Sequence, residues 1–286
     1  MSTSKVKHCI RKIKLKKRKA PFQNGSRFLS SIDLQTKKPP HKIGIGAHAW
    51  TNTKKAGVFG TVVLLAMVVI VFRHNIANQI AKADGRRAIA NHTAAPIDLT
   101  SNYIRPTSSF RKSGIWGAVP IGFQVFHHVP LQIDGYMLLW GEGNAQSGAV
   151  FPEQVLGIAV NQKFETLYVY HCTFYGSPNN TPVYDLVFHY EDDSSVTNTI
   201  RYGVDTLDFN SPGGKTIKGP TGPNSKVAWV GGSFTPDGKR PLRFCLTAIK
   251  NPQSSLKVTS IDLFSCKNKS AGVILALTTG RSGLMK

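Results

Sequence analysis

The residues able to do chemistry are few and scattered. No Gly-x-Ser-x-Gly occurs, so no nucleophile elbow is encoded. His127-His128 and His171 lie outside any His-Glu-x-x-His pattern, the spacing that puts two imidazoles on one helix face for zinc. On a strand, His127 and His128 point to opposite faces and cannot chelate one ion together. Asp192-Asp193 falls in a polar turn, where solvated carboxylates are the norm, and offers no acid/base pair. Asp205 and Asp208 can donate oxygens to a structural Ca2+ near a strand end, but nothing else there calls for one. These residues predict no catalytic set, no metal and no other cofactor; a glycan-active hydrolase is the remaining catalytic alternative.

Binding chemistry is better represented. A sugar ring is recognised by an exposed aromatic face beside a few polar groups. The aromatic candidates are Trp116, Trp140, Tyr168, Tyr170, Tyr175 and Trp229. Trp140 and Trp229 lie inside apolar runs, which predicts core packing. Tyr168 and Tyr170 alternate with Leu167 and Val169 and are expected on an outer sheet face. Tyr175 lies in the loop sequence TFYGSPNN, rich in turn formers. The candidate ligand-binding set is therefore Tyr175, Asn179 and Asn180, with His171 at the strand's exit. A loop aromatic offers a stacking face at little entropic cost, and carboxamides bond hydroxyls in both senses. The plainer alternative is a solvated turn without a ligand.

The elements that must position this loop read as strands. Residues 97–279 show no sustained 3.6-residue period, while short apolar runs recur between turn signals. VPLQIDGYMLLWG (129–141) is broken by Asp134-Gly135, a hairpin turn pair. VLGIAV, TLYVYHC, VYDLVFHY, VTNTIRYG, KVAWVGG, PLRFCLTAI, LKVTSIDLF and VILALTT follow, about nine strands in all. Leu186, Phe188 and Tyr190 share one face, as do Leu242, Phe244, Leu246 and Ala248. So many short strands with turns every 8–12 residues predict an all-β sandwich or jelly roll.

At FHHVPLQIDG, FPEQVLGIAV, LYVYHCTFYGSP, VFHYEDDSS, VAWVG and NPQSSLKVTSIDLFS the chain resembles galactose-binding-like jelly-roll modules. These belong to membrane-anchored proteins of planctomycete- and verrucomicrobial-type bacteria. The resemblance covers roughly residues 97–279 and rests on the order and spacing of pieces. It implies a jelly-roll sandwich with sugar-binding loops at one end, and carries over no catalytic residue. The chain departs from the pattern at IRYGVDTLDFN, where a Trp is expected near Phe209. No binding role is transferred to that loop.

The net charge of +21 is uneven. Residues 1–55 hold 15 Lys+Arg against one acid, Asp33, and Pro21, Pro39 and Pro40 keep the tail open. The segment 56–72, AGVFGTVVLLAMVVIVF, has 17 residues without a charge. At ~1.5 Å per residue it spans roughly 25 Å, and flanking Lys54, Lys55 and Arg73 can snorkel to complete a membrane crossing. A buried core helix is disfavoured by apolar residues on every face. A cleaved signal peptide using Ala81 and Ala83 is the other alternative. The basic tail favours an N-in, C-out signal anchor, although the bias nearly vanishes close to the span. The tail is then expected on the anionic inner leaflet. It lacks the aromatic interleaving of a nucleic-acid platform, so nucleic acid is not an expected partner.

Cys9 lies in the tail. Cys172, Cys245 and Cys266 lie in the exported part, where Cys245 and Cys266 either pair or pack as thiols. The expected organisation is a disordered basic tail (1–55), a transmembrane signal anchor (56–72) and a linker or helical stalk (73–96). A β-sandwich (97–279) and a short tail (280–286) follow. The expected protein is a single-pass membrane protein displaying a non-catalytic periplasmic or extracellular module. That module binds carbohydrate or cell-envelope glycan; the alternative is a signalling or scaffold protein whose sandwich binds a protein.

Overall fold

The computed structural model describes residues 53–107, 116–210, 217–232 and 240–286. The basic tail with Cys9 and the side chain of Trp116 lie outside the described residues. Helix α1 (Thr53–Ala90) runs without a break through the apolar segment and the alanine-rich stretch after it, 38 residues or ~57 Å. It stops where His92 adopts a left-handed backbone, φ 54°. His92 N–H then bonds Ile89 O at 2.9 Å and Thr93 N–H bonds Ala88 O at 2.9 Å, which satisfies the last carbonyls.

From Met67 to Ile80 every side chain of α1 is exposed. That stretch has only Met67–Phe72 as an unbroken apolar run before Arg73. Among the described residues, no helix is long and apolar enough to cross a membrane. The end of α1 behaves differently. Gly85 is buried, and a Cβ there would lie 2.5 Å from Val125 Cγ2 and 3.2 Å from Phe123 Cζ. Only glycine lets the helix approach this closely. The Arg86 guanidinium lies 5.8 Å from the centre of the Phe123 ring.

The remainder is mostly β. The strands are β1 (Ala94–Pro96), β2 (Arg105–Pro106), β3 (Gly122–Phe126), β4 (Val129–Ile133), β5 (Gly135–Leu138), β6 (Gln154–Gln162) and β7 (Thr166–Phe174). They continue as β8 (Pro182–Tyr190), β9 (Ser195–Arg201), β10 (Ser225–Gly231), β11 (Leu242–Lys250), β12 (Val258–Ser265) and β13 (Ala271–Gly280). One sheet has the order β10-β11-β7-β13-β5-β2, with β1 also on β13; the second has the order β6-β12-β8-β9. All these strand pairs are antiparallel. Leu167, Val169, Ile274 and Leu277 of the first sheet pack against Ile158, Leu186, Phe188, Ile261 and Leu263 of the second. The two sheets are the layers of a sandwich.

A third layer covers the other face of the larger sheet. The β3–β4 hairpin brings Val129, Leu131 and Ile133 against Tyr168, Tyr170, Phe244, Leu246 and Val273. Leu284 and Met285 add to this second core. Tyr168 and Tyr170 are therefore fully buried, which corrects their expected outer position. Alternation along β7 does separate two faces, but both are covered.

Other expectations also change. Asp134-Gly135 is not a hairpin turn, because β4 pairs with β3 while β5 pairs with β13 and β2. Gly135 is needed for a different reason: a Cβ there would lie 2.5 Å from Tyr103 Cγ and 2.7 Å from Arg105 O. The sandwich begins at β1, inside the expected linker. The C-terminal residues fold back, with Arg281 N–H on Thr93 O at 3.0 Å and Leu284 N–H on Tyr168 Oη at 3.1 Å.

Leu131 has no exposed surface, whereas Leu156 is 51% exposed. Leu131→Ala is expected to lower unfolding free energy by about 2–5 kcal/mol through lost burial and a residual cavity. Leu156→Ala should change it by less than about 0.5 kcal/mol. Urea titration of the full chain in detergent checks the pair; equal effects would mean that the third layer is not a packed core.

Candidate ligand-binding site

β7 delivers the candidate loop. The strand ends at Phe174, and Tyr175 turns out with φ 64°, in the left-handed region. Its carbonyl accepts hydrogen bonds from Ser270 Oγ at 2.8 Å and Thr173 Oγ1 at 3.2 Å. Ser270 is itself tied to Ser177 Oγ at 2.6 Å. The ring lies against Gly143 of the short helix α2 (Glu142–Ala145): a Cβ there would fall 2.4 Å from Tyr175 Cδ2. The side chain still leaves 43% of the residue exposed. Asn144 fixes α2 from below, accepting Gly141 N–H at 2.8 Å and donating to Leu139 O at 3.0 Å.

Asn179 and Asn180 are exposed in the same loop. The Asn179 carboxamide oxygen occupies the space over Gly203, where a Cβ would come within 1.6 Å of it. Asn180 has φ 69°; its N–H bonds Tyr202 O at 2.8 Å, and its carbonyl accepts Arg201 Nη1 at 3.2 Å. The structure thus brings Tyr175, Asn179 and Asn180 to one loop on a fixed backbone.

His171 is not part of it. β7 continues three residues past His171, so this position is interior rather than the strand's exit, and it is fully buried. Thr247 Oγ1 donates its proton to Asp205 O at 2.8 Å. It must therefore accept at its other contacts, from His171 Nε2 at 2.9 Å and Ser225 Oγ at 2.9 Å. Nδ1 then accepts from Tyr184 Oη at 2.7 Å. The imidazole is neutral, and burial holds its pKa down at about 3.

The carboxylates considered for Ca2+ are engaged with backbone. Asp205 Oδ2 accepts Arg201 N–H at 2.8 Å, and Asp208 Oδ1 accepts Asn210 N–H at 3.0 Å. Burial raises the pKa of both. Among the described residues, no group of three or more His, Cys, Asp or Glu side chains suits a metal ion. His127 and His128 are not strand residues either. They form the β3–β4 turn with φ 48° and 67°, and His127 Nε2 donates to Val227 O at 2.9 Å.

Trp229 is half-buried with its ring centre 5.5 Å from that of Phe244, and Trp140 is also half-buried. Cys172, Cys245 and Cys266 are free thiols. Cys245 pairs in register with His171, so it shares that face of the sheet and Cys172 points to the other. Cys266 follows β12 in the opposite sheet. Burial pushes the Cys245 thiol up to about 12 and the Cys266 thiol up to about 11, so both stay protonated.

One pair escaped the sequence reading. His189 Nε2 lies 2.8 Å from Asp262 Oδ2 on the second sheet, and Asp262 Oδ1 accepts Gly157 N–H at 2.7 Å. The two residues are 73 positions apart and meet only through β8–β12 pairing. No family, curated protein or solved structure matches the chain. The site is therefore argued from its own geometry.

The buried histidine makes stability depend on pH. An unfolded histidine binds a proton near pH 6.5, while His171 resists one until about pH 3. Between those values the unfolded state holds more protons, so stability falls as pH is lowered, by up to about 1.4 kcal/mol per unit. His171→Gln should flatten the slope of unfolding free energy between pH 4 and 6. An unchanged slope would place the effect on other groups.

Proposed function

We propose that this protein is a membrane-tethered, non-catalytic binding module. Its galactose-binding-like jelly-roll sandwich presents the Tyr175 loop to carbohydrate or cell-envelope glycan outside the cytoplasm. The observation that carries the reading is Tyr175 itself. An L-residue in the left-handed region costs roughly 1–2 kcal/mol, and such strain gathers where a side chain must be held in place. Here it places a 43% exposed tyrosine at the end of a rigid strand, in the loop that also carries the exposed Asn179 and Asn180.

Two further features support the proposal. The strand orders β5-β13-β7-β11 and β6-β12-β8-β9 alternate successive strands between sheets except at β8–β9 and β10–β11, an arrangement two Greek keys give in a jelly roll. The anchor is supported by the uncharged run 56–72 and by the exposure of Met67, Val68, Ile70, Val71 and Phe72 at 60–66% each. In water these side chains would form an apolar surface that soluble helices avoid. In lipid they are solvated.

A glycan array probed with the full chain in detergent tests the ligand. Tyr175→Ala should weaken binding to the glycans so found by about 1–3 kcal/mol, as loss of a stacking aromatic does. Tyr175→Trp should retain it, and thermal unfolding should stay unchanged in both. Binding indifferent to Tyr175 would exclude this loop. Protease added to intact cells should digest the sandwich and spare the basic tail; the reverse pattern would overturn the orientation.

A further inference from the structure

A groove of about 340 Å3 lies at the opposite end of β7 from Tyr175. Its floor is the outer face of the larger sheet, where Thr166, Tyr168, Ala248 and Lys250 follow on from the second core. One wall is Pro223-Asn224 and the other is the returning C-terminus, Ser282, Gly283 and Met285. That wall is pinned. Ser282 Oγ shares a hydrogen bond with Thr166 Oγ1 at 3.0 Å, and Tyr168 Oη donates to Arg281 O at 2.6 Å while accepting Leu284 N–H.

The charges here are one-sided. Lys226 and Lys250 line the groove, and among the described residues no acid does. Lys226 pairs in register with Leu246, and Leu246 and Lys250 are four apart on β11, so both cations project on the same face of the sheet. Lys226 is half-buried, yet neither lysine has a carboxylate partner among the described residues. The nearest acid in sequence to the groove floor, Glu165, lines the adjoining groove instead, and its carboxylate accepts Ser282 N–H at 2.9 Å. The acidic β8–β9 turn belongs to the other sheet; Glu191 there already faces Lys257 at 3.8 Å.

We propose that this groove binds an acidic sugar residue, with its carboxylate or sulfate held by Lys226 and Lys250. The rest of the lining fits a sugar better than a bare ion. Asn224, Thr166 and Ser282 offer hydrogen-bonding groups for hydroxyls, and Ala248 and Met285 give an apolar surface for C–H faces. The volume is that of a small-molecule pocket rather than a flat charged patch. This site is separate from the Tyr175 loop and stands whether or not that loop binds a glycan.

Hydrogen–deuterium exchange on the full chain in detergent, with trigalacturonic acid as the probe, tests the proposal. The basic tail will also attract anions, so the readout must be local. Protection is expected at residues 223–226, 248–250 and 282–285. Lys226→Gln with Lys250→Gln should abolish that protection and weaken the probe's affinity at this site at least about tenfold. Lys226→Arg should restore it, and Tyr175→Ala should leave it intact. Protection confined to residues 1–55, or indifference to the double variant, would overturn the proposal. Protection at the groove by phosphatidylglycerol vesicles but not by the uronate would overturn the sugar assignment in favour of a lipid headgroup.

Discussion

Burial of the larger sheet on both faces is the constraint on which the rest of the structure depends. β7 and β13 are buried along almost their whole length. A strand sealed on both sides cannot alternate apolar with charged residues, and its polar side chains must find partners inside; on β7 all but Tyr170 Oη, which is buried without a hydrogen-bond partner among the described residues, do so. That requirement explains the chemistry of β7. Leu167 and Val169 fill the sandwich core, Tyr168 and Tyr170 fill the second core, and His171 closes a hydrogen-bond network with Tyr184, Thr247 and Ser225. The network costs little only because each donor finds an acceptor. It also couples β7 to β8, β10 and β11, so the rigid strand feeding the Tyr175 loop is fixed from several directions.

Closure of the second face needs chain from distant parts of the sequence. The β3–β4 hairpin precedes β5 and the Leu284–Met285 segment follows β13. Neither covers the sheet alone. The hairpin in turn supports α1, because Gly85 rests on Val125, Phe123 and Pro130. The Pro130 carbonyl accepts Thr278 Oγ1 at 2.7 Å, which ties this contact to β13. The C-terminal end of α1, the hairpin and the sheet are thus in continuous contact.

Strand identity was legible in the sequence because it depends on local alternation. β8 through β13 fall within a few residues of the apolar runs that announce them, and Leu186, Phe188 and Tyr190 share the buried face they should. What was not legible depends on which elements cover which faces. Alternation showed that Tyr168 and Tyr170 share a side; only the packed hairpin decides that the side is interior. His171 was misplaced for a related reason. Its polarity and the turn residues after it suggested a strand end, but Thr173 and Phe174 continue the ladder to β13 through Gly272 and Ala271. The histidine pair 127–128 misled in the opposite sense, since two non-glycine residues with positive φ are a rare choice for a tight hairpin. That Tyr175, Asn179 and Asn180 lie in a loop was legible because turn composition reports loops directly.

The two candidate binding regions are the two ends of one strand. β7 has nine residues, so Thr166 and Phe174 are separated by roughly 27 Å at ~3.3 Å per residue. α1 docks at the Thr166 end, through His92, Thr93 and the return of Arg281 onto Thr93 O. The last turn of α1 is thus held at the end of β7 opposite Tyr175. The lysine-lined groove lies at the Thr166 end, against the returning segment 282–285. The two regions therefore lie at opposite ends of one buried strand. Both depend on the same buried strand, so a mutation in its core should disturb both ends together, while substitutions in either loop leave the other untouched.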